Sequence, residues 1–322
     1  MSRSLTAPGN QLTPRSIVGW ILKQRILLVL IALCGIVSLL TPKFLTTTNL
    51  INVARQISIN GIVAVGMTFV ITTGGIDISV GSTVALCGIV AGLLLRSGMP
   101  VLIAALAALI VGAVGGLGNG LLVAYGKLLP FVATLGTMNL FRGLLLVISN
   151  GQAVWGLPRQ FTFIGTGYVL GIPMPVIICA AVFAVGYFLL NHTTIGRFTI
   201  AVGGNEEAAR LAGVPVRKIK LFVYSFCGLL CGLAGLVLTA RLASAQPTAG
   251  EGYELTAIAS VVIGGTSLLG GKGSIMGTLL GAMVLGVVSN ALNLLGISPF
   301  YQTMFIGGIV LIAVLFDMLR KN

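Results

Sequence analysis

The amino-acid sequence predicts an all-α polytopic membrane protein with about ten transmembrane helices. Hydrophobic residues make up 57% of the 322 residues, and charged residues make up only 8%. A soluble domain carries roughly 25% charged residues, whereas the mean hydropathy of this chain is +1.09. A chain this apolar cannot keep its surface in water, so that surface must face lipid.

Ten apolar stretches have the length of a membrane span. A transmembrane helix needs about 20 predominantly apolar residues, because it must cross about 30 Å of hydrocarbon. The segment GGTSLLGGKGS (264–274) is the least regular part of the pattern and predicts a tight turn or a broken helix. The ten predicted spans are 22–40, 50–72, 80–96, 101–124, 131–149, 175–190, 219–240, 255–269, 275–295 and 302–318.

Basic residues indicate the orientation of these spans. Cytoplasmic loops of membrane proteins carry an excess of Lys and Arg, and on this rule both termini are expected in the cytoplasm. The expected division is a cytoplasmic tail (1–21), a transmembrane domain (22–319) with a cytoplasmic loop (191–218), and a cytoplasmic C-terminal end (320–322). The residues assigned to the cytoplasmic side are Arg15, Lys23, Arg25, Lys127, Arg197, Arg210, Arg217, Lys218, Lys220, Lys272, Arg320 and Lys321. Those assigned to the opposite side are Lys43, Arg55, Arg96, Arg159, Arg241 and, near a span end, Arg142.

Composition argues against several classes of function. The formal net charge is +13, but no basic run alternates with aromatic residues as a nucleic-acid groove needs, so nucleic acid is not an expected partner. The five cysteines lie inside apolar segments, and the single histidine, His192, has no metal-site spacing. A phosphate-binding loop also fails, because Thr266 and Gly273 stand where that motif requires Gly and then Ser or Thr. We expect no enzymatic activity, cofactor or metal for this chain.

The chain has 45 glycines, and about half of them lie within the predicted spans. Small residues let helix backbones approach closely in a bilayer, where no hydrophobic force drives helices together. The segment VGAVGGLGNG (111–120) and the spacing of Gly277 and Gly281 fit this use. Helix breaks that line a pathway through the membrane are the alternative for some of these glycines.

Asp77 is the only acidic residue in the first two hundred positions. As the N-cap of the next span it would accept a hydrogen bond from the amide of Ser79 or Val80. A buried acid on a substrate or proton route is the other interpretation. The sequence leaves both open.

A short charged helix is predicted between two spans. Asn205 is a favourable N-cap, and Glu206 and Glu207 place negative charge in the first turn, where the helix dipole favours it. Glu206 and Arg210 are four residues apart in the order that stabilises a helix. These signals predict that the helix begins at Glu206.

The same segment carries a stop signal. Gly213 permits the left-handed conformation that ends a helix, and Pro215 follows it. The predicted helix therefore covers about residues 206–212. So short a helix is marginal alone in water, and we expect a protein partner or the ends of the spans to hold it.

The stretch NEEAARLAGV resembles the EAA loop of permease subunits of bacterial ATP-binding-cassette importers. The Glu-Ala-Ala-x-x-x-Gly core of that loop matches Glu207, Ala208, Ala209 and Gly213. It lacks the downstream Leu-Pro of the wider importer class, as is usual for the sugar branch. Longer segments are similar to ribose-type sugar permeases over nearly the whole chain beyond about residue 40: AVGMTFVITTGGIDISVGS, GRFTIAVGGNEEAARLAGV, ARLASAQPTAGEGYELTAIASVVIGGTSLLGGKG and NALNLLGI.

This resemblance implies a fold, a function and partners. It implies an importer-permease bundle in the bacterial inner membrane, with a cytoplasmic coupling helix seated on a separate ATPase subunit that binds ATP-Mg. Two copies of the permease would enclose a pathway for ribose or a related monosaccharide, which a periplasmic binding protein delivers. The coupling residues it implies are Gly203, Gly204, Asn205, Glu206, Glu207, Ala208, Ala209, Arg210 and Gly213.

Neutral polar side chains within the spans are candidates for lining a sugar pathway, and interhelical hydrogen bonding is the alternative for each of them. Three arginines outside the spans are candidates for pairing with acids of the binding protein, and a solvated or headgroup-facing position is their alternative. The pathway candidates are Asn60, Thr68, Asn119, Asn139 and Asn290, and the docking candidates are Arg55, Arg159 and Arg241.

Two other functions stay open at this stage. An ion-coupled secondary sugar transporter requires more than one intramembrane acid, and Asp77 is the one candidate. A non-transporting scaffold or sensor would give the charged helix a partner but would leave the polar residues in the spans without a purpose.

Overall fold

A computed structural model describes residues 25–319, which form helices joined mostly by short loops. These residues contain thirteen α-helices and one two-stranded antiparallel hairpin. The helices are α1 (Arg25–Leu40), α2 (Thr47–Thr72), α3 (Val80–Arg96), α4 (Val101–Ala124), α5 (Pro130–Ser149), α6 (Arg159–Thr166), α7 (Met174–His192), α8 (Thr194–Gly204), α9 (Glu206–Leu211), α10 (Val216–Leu242), α11 (Tyr253–Ile263), α12 (Ile275–Leu294) and α13 (Pro299–Leu319). The strands β1 (Tyr168–Val169) and β2 (Ile172–Pro173) lie between α6 and α7.

Every one of the ten predicted spans overlaps a helix. In the described part of the chain, six helices are long and apolar enough to cross a membrane, namely α2, α4, α5, α7, α10 and α12. α1, α3 and α11 are shorter apolar helices. The chain is therefore an all-α polytopic membrane protein. The predicted tail (1–21), the start of the first span (22–24) and the predicted C-terminal end (320–322) lie outside the described residues.

The prediction for residues 255–269 is wrong at its end. α11 ends at Ile263, and the chain then turns through positive φ angles of 86° at Gly265, 84° at Gly270 and 76° at Gly271. Glycine adopts this backbone conformation at little cost. Helices α6 and α8 are not among the predicted elements, because helices of 8 and 11 residues lack the length that identifies a span.

Helix α10 lies at the centre of the bundle and packs against α2, α3, α4 and α6. Its contact with α4 is the closest, because glycines face each other across it. A β-carbon on either Gly112 or Gly228 would overlap the carbonyl oxygen of the other, and one on Gly116 would overlap the Tyr224 carbonyl. One on Gly232 would lie 2.8 Å from the Ala108 carbonyl oxygen. The predicted close packing within 111–120 is therefore confirmed.

Glycine also allows close backbone contact on two further faces of α10. A β-carbon on Gly235 would lie 2.5 Å from the Val84 carbonyl oxygen of α3. On α2, a β-carbon on Gly66 would lie 2.8 Å from the Cα atom of Cys227. Three neighbouring helices are thus held at backbone distance from one central helix, which is how helices associate where lipid is as apolar as the side chains.

A loop after α10, residues 243–252, folds back into the bundle along α3. At one end Ala245 forms an isolated antiparallel bridge with Val154 and lies against Gly92. At the other end the Gly250 carbonyl lies against Gly81, in the first turn of α3. Eleven helical residues separate Gly81 from Gly92, or about 16 Å along the helix axis. The loop therefore starts α11 deep within the bundle.

We predict that Gly228→Ala lowers the apparent Tm of the purified protein in detergent. The added methyl group meets the Gly112 carbonyl, and overpacking of this kind typically costs about 1–3 kcal/mol. Gly118→Ala is the matched control on α4, because nothing lies within 4 Å of a β-carbon there. Equal Tm values for Gly228→Ala and Gly118→Ala would contradict the close α4–α10 contact.

Candidate functional site

The predicted charged helix is present as α9, and it begins with the predicted cap. Asn205 has an extended backbone (φ −159°, ψ 106°), and its side-chain oxygen accepts a hydrogen bond from the Ala208 amide at 2.9 Å. Glu206 and Glu207 lie in the first turn. The cap satisfies one of the amides that a helix start leaves without a partner.

α9 ends at Leu211, one residue before the predicted end. Gly213 has φ +82°, and the Val214 amide donates to the Ala209 carbonyl at 3.0 Å, so the last carbonyls are satisfied within the turn. Ala209 is buried, whereas its neighbour Ala208 is exposed. Pro215 then serves as the N-cap residue of α10. The helix thus has one face on the protein and one face open.

The predicted ion pair between Glu206 and Arg210 is wrong. Arg210 pairs with Glu207, with its Nε atom 3.1 Å from the Glu207 carboxylate. Glu206 pairs instead with Lys220 of α10, at 2.7 and 2.8 Å. The Arg210 guanidinium lowers the pKa of the Glu207 carboxyl through a hydrogen bond and its charge.

A glycine junction (Gly203, Gly270 and Gly271 around Thr72) connects α9 to the rest of the bundle. Gly203 is the penultimate residue of α8, two positions before the α9 cap, and a β-carbon on it would overlap the Thr72 carbonyl at the end of α2. The Gly271 amide donates to that same carbonyl at 3.0 Å. A β-carbon on Gly270 would lie 2.7 Å from the Gly203 carbonyl oxygen. Three chain segments therefore meet at backbone distance beside the charged helix.

A cleft of about 550 Å³ lies next to α9. Its walls are the end of α2, the α4–α5 turn, α9 itself and the first turns of α10. Basic residues predominate there, since Lys127, Arg210, Arg217 and Lys220 accompany the two glutamates. Residues that the charge rule assigned to the cytoplasmic side thus gather at one end of the bundle.

Asp77 lies in the linker between α2 and α3 and is buried. Its carboxylate accepts from the Ser79 amide at 2.9 Å, which is the predicted bond, and from the Ser79 hydroxyl at 2.7 Å. The Asn119 amide of α4 also donates to it, and Thr137 of α5 donates to Asn119 at 2.6 Å. The N-cap position itself belongs to Ser79, because α3 begins at Val80. Asp77 therefore links three segments.

Three of the predicted pathway residues have protein partners. Thr68 shares a hydrogen bond of 2.8 Å with Thr278 of α12, and Asn119 belongs to the Asp77 network. Asn290 exchanges hydrogen bonds with Asn49, at 2.8 and 3.0 Å. These hydrogen bonds agree with the alternative to pathway lining, in which polar side chains within the spans bond neighbouring segments to each other.

The other two pathway candidates lie apart from that group. Asn60 of α2 has a buried side-chain oxygen that accepts no hydrogen bond from the residues described. Asn139 of α5 is exposed, and its amide donates to the Leu135 carbonyl at 3.0 Å. No described hydrogen bond joins any two of the five candidates, so they do not form a single cluster.

Sequence reasoning missed a second polar group, which surrounds Asn139. Arg142, Glu251, Glu254 and Ser82 line a cavity of about 210 Å³ with it. The expectation that Arg142 lies near a span end is wrong, because α5 runs from Pro130 to Ser149 and places Arg142 inside it. These residues come together only because loop 243–252 folds back onto α3 and α5. That contact is not visible in any local sequence pattern.

The three arginines proposed for docking border α6 at the other end of the bundle. Arg55 donates to the Thr166 carbonyl at 3.0 Å and lies over the Tyr168 ring, 5.0 Å from its centroid. The Arg241 backbone lies against Gly165, and Arg159 begins α6 with an exposed side chain. They form a basic surface at the end opposite α9.

A polytopic helical bundle with a capped, charged helix between two of its spans is the arrangement that the sequence resemblance implied for a permease subunit. The family described as "Branched-chain amino acid transport system / permease component" matches residues 49–315. This chain belongs to that family, within its ribose-type branch of ATP-binding-cassette sugar permeases.

Characterised relatives cover almost the whole chain. The ribose import permease protein RbsC of Escherichia coli (strain K12) is 51% identical over 302 residues, covering 92% of this chain and 94% of the relative. RbsC of Bacillus subtilis (strain 168) is 52% identical over 289 residues, covering 88% of each. The D-allose transport system permease protein AlsC of Escherichia coli (strain K12) is 41% identical over 295 residues, covering 91% and 90%. No solved structure matches the chain.

These relatives are named as transport permeases and not as enzymes. They give no support to the ion-coupled alternative. The relatives and the apolar helices of the structure both support a multi-pass protein of the inner membrane.

We predict that Gly203→Ala weakens the glycine junction. Its β-carbon must push α8 away from the Thr72 carbonyl, so the Gly271 amide should lose its acceptor and exchange its hydrogen faster. Hydrogen–deuterium exchange of residues 264–274 measures this. Gly204→Ala is the matched control, because nothing lies within 4 Å of a β-carbon there. Identical exchange in the two variants would contradict the contact.

We also predict that Arg210→Gln raises the pKa of Glu207. The pKa of this carboxyl in the folded protein lies below that of the unfolded chain. The ion pair therefore contributes its full stability at any pH above the ordinary pKa of glutamate. It is lost as the pH falls through the lowered value. Carboxyl NMR of glutamate-labelled protein can follow this titration, since the only glutamates are Glu206, Glu207, Glu251 and Glu254.

The matched control for this titration is Arg197→Gln, which removes an exposed arginine of α8. It should leave the pKa of Glu207 unchanged. A wild-type pKa for Glu207 in Arg210→Gln would contradict the pairing.

Proposed function

We propose that this chain is the permease subunit of an ATP-driven importer that carries ribose or a related monosaccharide across the bacterial inner membrane. A separate ATPase subunit binds ATP-Mg, a periplasmic binding protein delivers the sugar, and this chain holds no cofactor. The observation that carries the proposal is α9, a capped helix with an open charged face that is fixed to the bundle by the glycine junction. The names of the relatives, which include ribose import and D-allose transport, support the sugar class.

The proposed topology has ten spans, with both termini in the cytoplasm. Nine are α1–α5, α7, α10, α12 and α13, and the tenth is α11 together with the inward loop 243–252. Residues 1–21 are then the cytoplasmic tail, 22–319 the permease domain with its coupling loop 191–218, and 320–322 the C-terminal end. The arrangement of the loops supports this sidedness, since Lys127, α9 and the end of α2 share one cleft. The hairpin and α6 then lie on the periplasmic side.

In this proposal α9 is the coupling helix, and its motion has two routes into the bundle. One route is the glycine junction, which joins the start of α9 to α2 and to the loop before α12. The other is the ion pair between Glu206 and Lys220, which joins α9 to α10. The residues that carry coupling are Gly203, Gly204, Asn205, Glu206, Glu207, Ala208, Ala209, Arg210 and Gly213.

Closure of the ATPase dimer would displace this helix and favour one of two arrangements of the spans. A ligand or partner shifts such an equilibrium only through contacts that differ between the two states. Both routes from α9 end on a membrane-spanning helix, so a displacement of α9 would act directly on the spans. The permease supplies these contacts and performs no chemistry.

The remaining partners are a second copy of the chain and the binding protein. The basic surface formed by Arg55, Arg159 and Arg241 lies opposite α9, where acidic side chains of a docked binding protein would meet it. Two copies would place the sugar pathway between them. Of the five pathway candidates, Asn139 is the one whose side chain is exposed on a membrane-spanning helix.

We predict that Glu207→Arg abolishes the stimulation of ATP hydrolysis by sugar-loaded binding protein. The test is ATPase activity of the three-component transporter reconstituted in lipid. Glu207 is exposed, so charge reversal alters the face presented to the ATPase subunit. Glu207→Ala removes the charge without reversing it and should have a smaller effect.

The double variant Glu207→Arg with Arg210→Glu is the matched control. It restores an ion pair within α9 but exchanges the positions of the charges. Failure of the swap to restore coupling supports a contact with the ATPase subunit. Wild-type protein that binds no ATPase, or a single reversal without effect, would overturn the proposed function.

A further inference from the structure

The polar group around Asn139 lies midway along one of the helices that are long and apolar enough to cross a membrane. Asn139 and Arg142 belong to α5, a helix of 20 residues with the length and composition of a span. Asn139 stands nine residues from Pro130, which places it about 13 Å along the helix. Glu251 and Glu254 reach the same level because loop 243–252 folds inward along α3.

Charged side chains at this depth do not face lipid, because hydrocarbon leaves their charge unsolvated. Yet this cavity opens at the surface of the single chain. Asn139 and Glu251 are exposed, and β-carbons on Gly136 and Gly143 of the same helix would meet nothing within 4 Å. A water-filled passage covered by a second copy would solvate these charges.

The structure holds these side chains in place. The Arg142 guanidinium donates to the Pro247 carbonyl and, at 3.5 Å, to the Ala249 carbonyl, so it fixes the returning loop. The Glu254 carboxylate lies beside α3, since a β-carbon on Gly81 would be 2.7 Å from its Oε2 atom. The absence of a side chain at Gly81 is what admits both the loop and this carboxylate.

The chemistry of the lining indicates the ligand class. Arg142 and Asn139 donate hydrogen bonds, Glu251 and Glu254 accept them, and the Ser82 hydroxyl does both. Every sugar hydroxyl is both a donor and an acceptor, so this mixture matches a neutral polyol. Two carboxyl groups stand beside one guanidinium, so the group offers no excess positive charge, which disfavours phosphorylated or acidic sugars.

We propose that Ser82, Asn139, Arg142, Glu251 and Glu254 form the transit site through which the monosaccharide crosses the middle of the membrane, with the same group of a second copy facing it. The cavity of about 210 Å³ is smaller than the roughly 300–1,000 Å³ typical of complete ligand sites. A single copy thus supplies one half of the site. This inference rests on the proposed function for the identity of the cargo, but the water-filled position of Asn139 is tested independently.

The first experiment measures water access at Asn139. Asn139→Cys in lipid vesicles should react with a membrane-impermeant methanethiosulfonate at least about tenfold faster than Ile110→Cys, since thiols in apolar surroundings stay protonated and unreactive. Ile110 is the matched control because it stands nine residues into α4 and is 60% exposed. Four of the five native cysteines are buried, and Cys34 is partly exposed. The wild-type protein supplies the background rate. Equal slow rates for the two variants would overturn the transit site whatever the cargo is.

The second experiment separates transit from coupling. In the reconstituted transporter, Glu251→Gln and Glu254→Gln should each lower ATP-dependent uptake of radiolabelled ribose by about tenfold or more, which is the cost of one weakened hydrogen bond to a charged group. Stimulation of ATP hydrolysis by loaded binding protein should stay within about twofold of wild type, because α9 is unchanged. Gln152→Ala, an exposed amide just beyond α5, is the control and should leave both unchanged.

Unchanged uptake in both glutamate variants would overturn the transit site. Parallel loss of uptake and stimulation in an intact complex would also overturn it, because it would assign these residues to the coupling machinery. Wild-type protein without ATP-dependent ribose uptake would overturn the proposed function instead, and the thiol experiment would still decide whether the passage exists.

Discussion

The fold depends on the approach of the α10 backbone to the backbones of its neighbours. Lipid offers no hydrophobic drive for helices to associate, so contact area and close backbone packing must replace it. Gly228 against Gly112 and Gly235 against α3 supply that contact from two sides of one helix. The charged helix α9 and the basic surface near α6 lie at the two ends of this packed core. Any motion passed between them has to travel through helices that can shift only as packed bodies.

Sequence reasoning located the membrane helices and the limits of α9 well, because both depend on local signals. The length of an apolar stretch identifies a span. α9 begins where the Asn205 side chain caps it, and it ends before Gly213, which has no side chain and adopts a positive φ. The ion pairing of Glu206 failed, because its partner Lys220 lies fourteen residues away on another helix. The end of α11 failed for a related reason, since Gly270 and Gly271 in the turn that follows it lie against α8 and the end of α2, which are distant in the sequence.

The polar residues within the spans show what a single sequence omits. Thr68, Asn290 and Asn139 are all neutral polar residues inside apolar helices, and nothing in their neighbours distinguishes them. The first two bind partners 210 and 241 positions away, whereas Asn139 lies exposed beside Glu251 of a distant loop and Glu254 of α11. The rotation of each helix about its axis decides between these outcomes. That rotation is set by packing in three dimensions and not by the local order of residues.

The shortness of α11 has a consequence for how the chain enters the membrane. Its 11 residues extend for about 16 Å, roughly half of the hydrocarbon core, so it cannot persist alone as a span during insertion. The loop before it also has to settle along α3 and Arg142, which were synthesised more than a hundred residues earlier. The chain from α11 onwards can therefore fold only after the N-terminal helices have packed together. A nascent chain that lost α3 or α5 would present the insertion machinery with a half-length helix that has nowhere to dock.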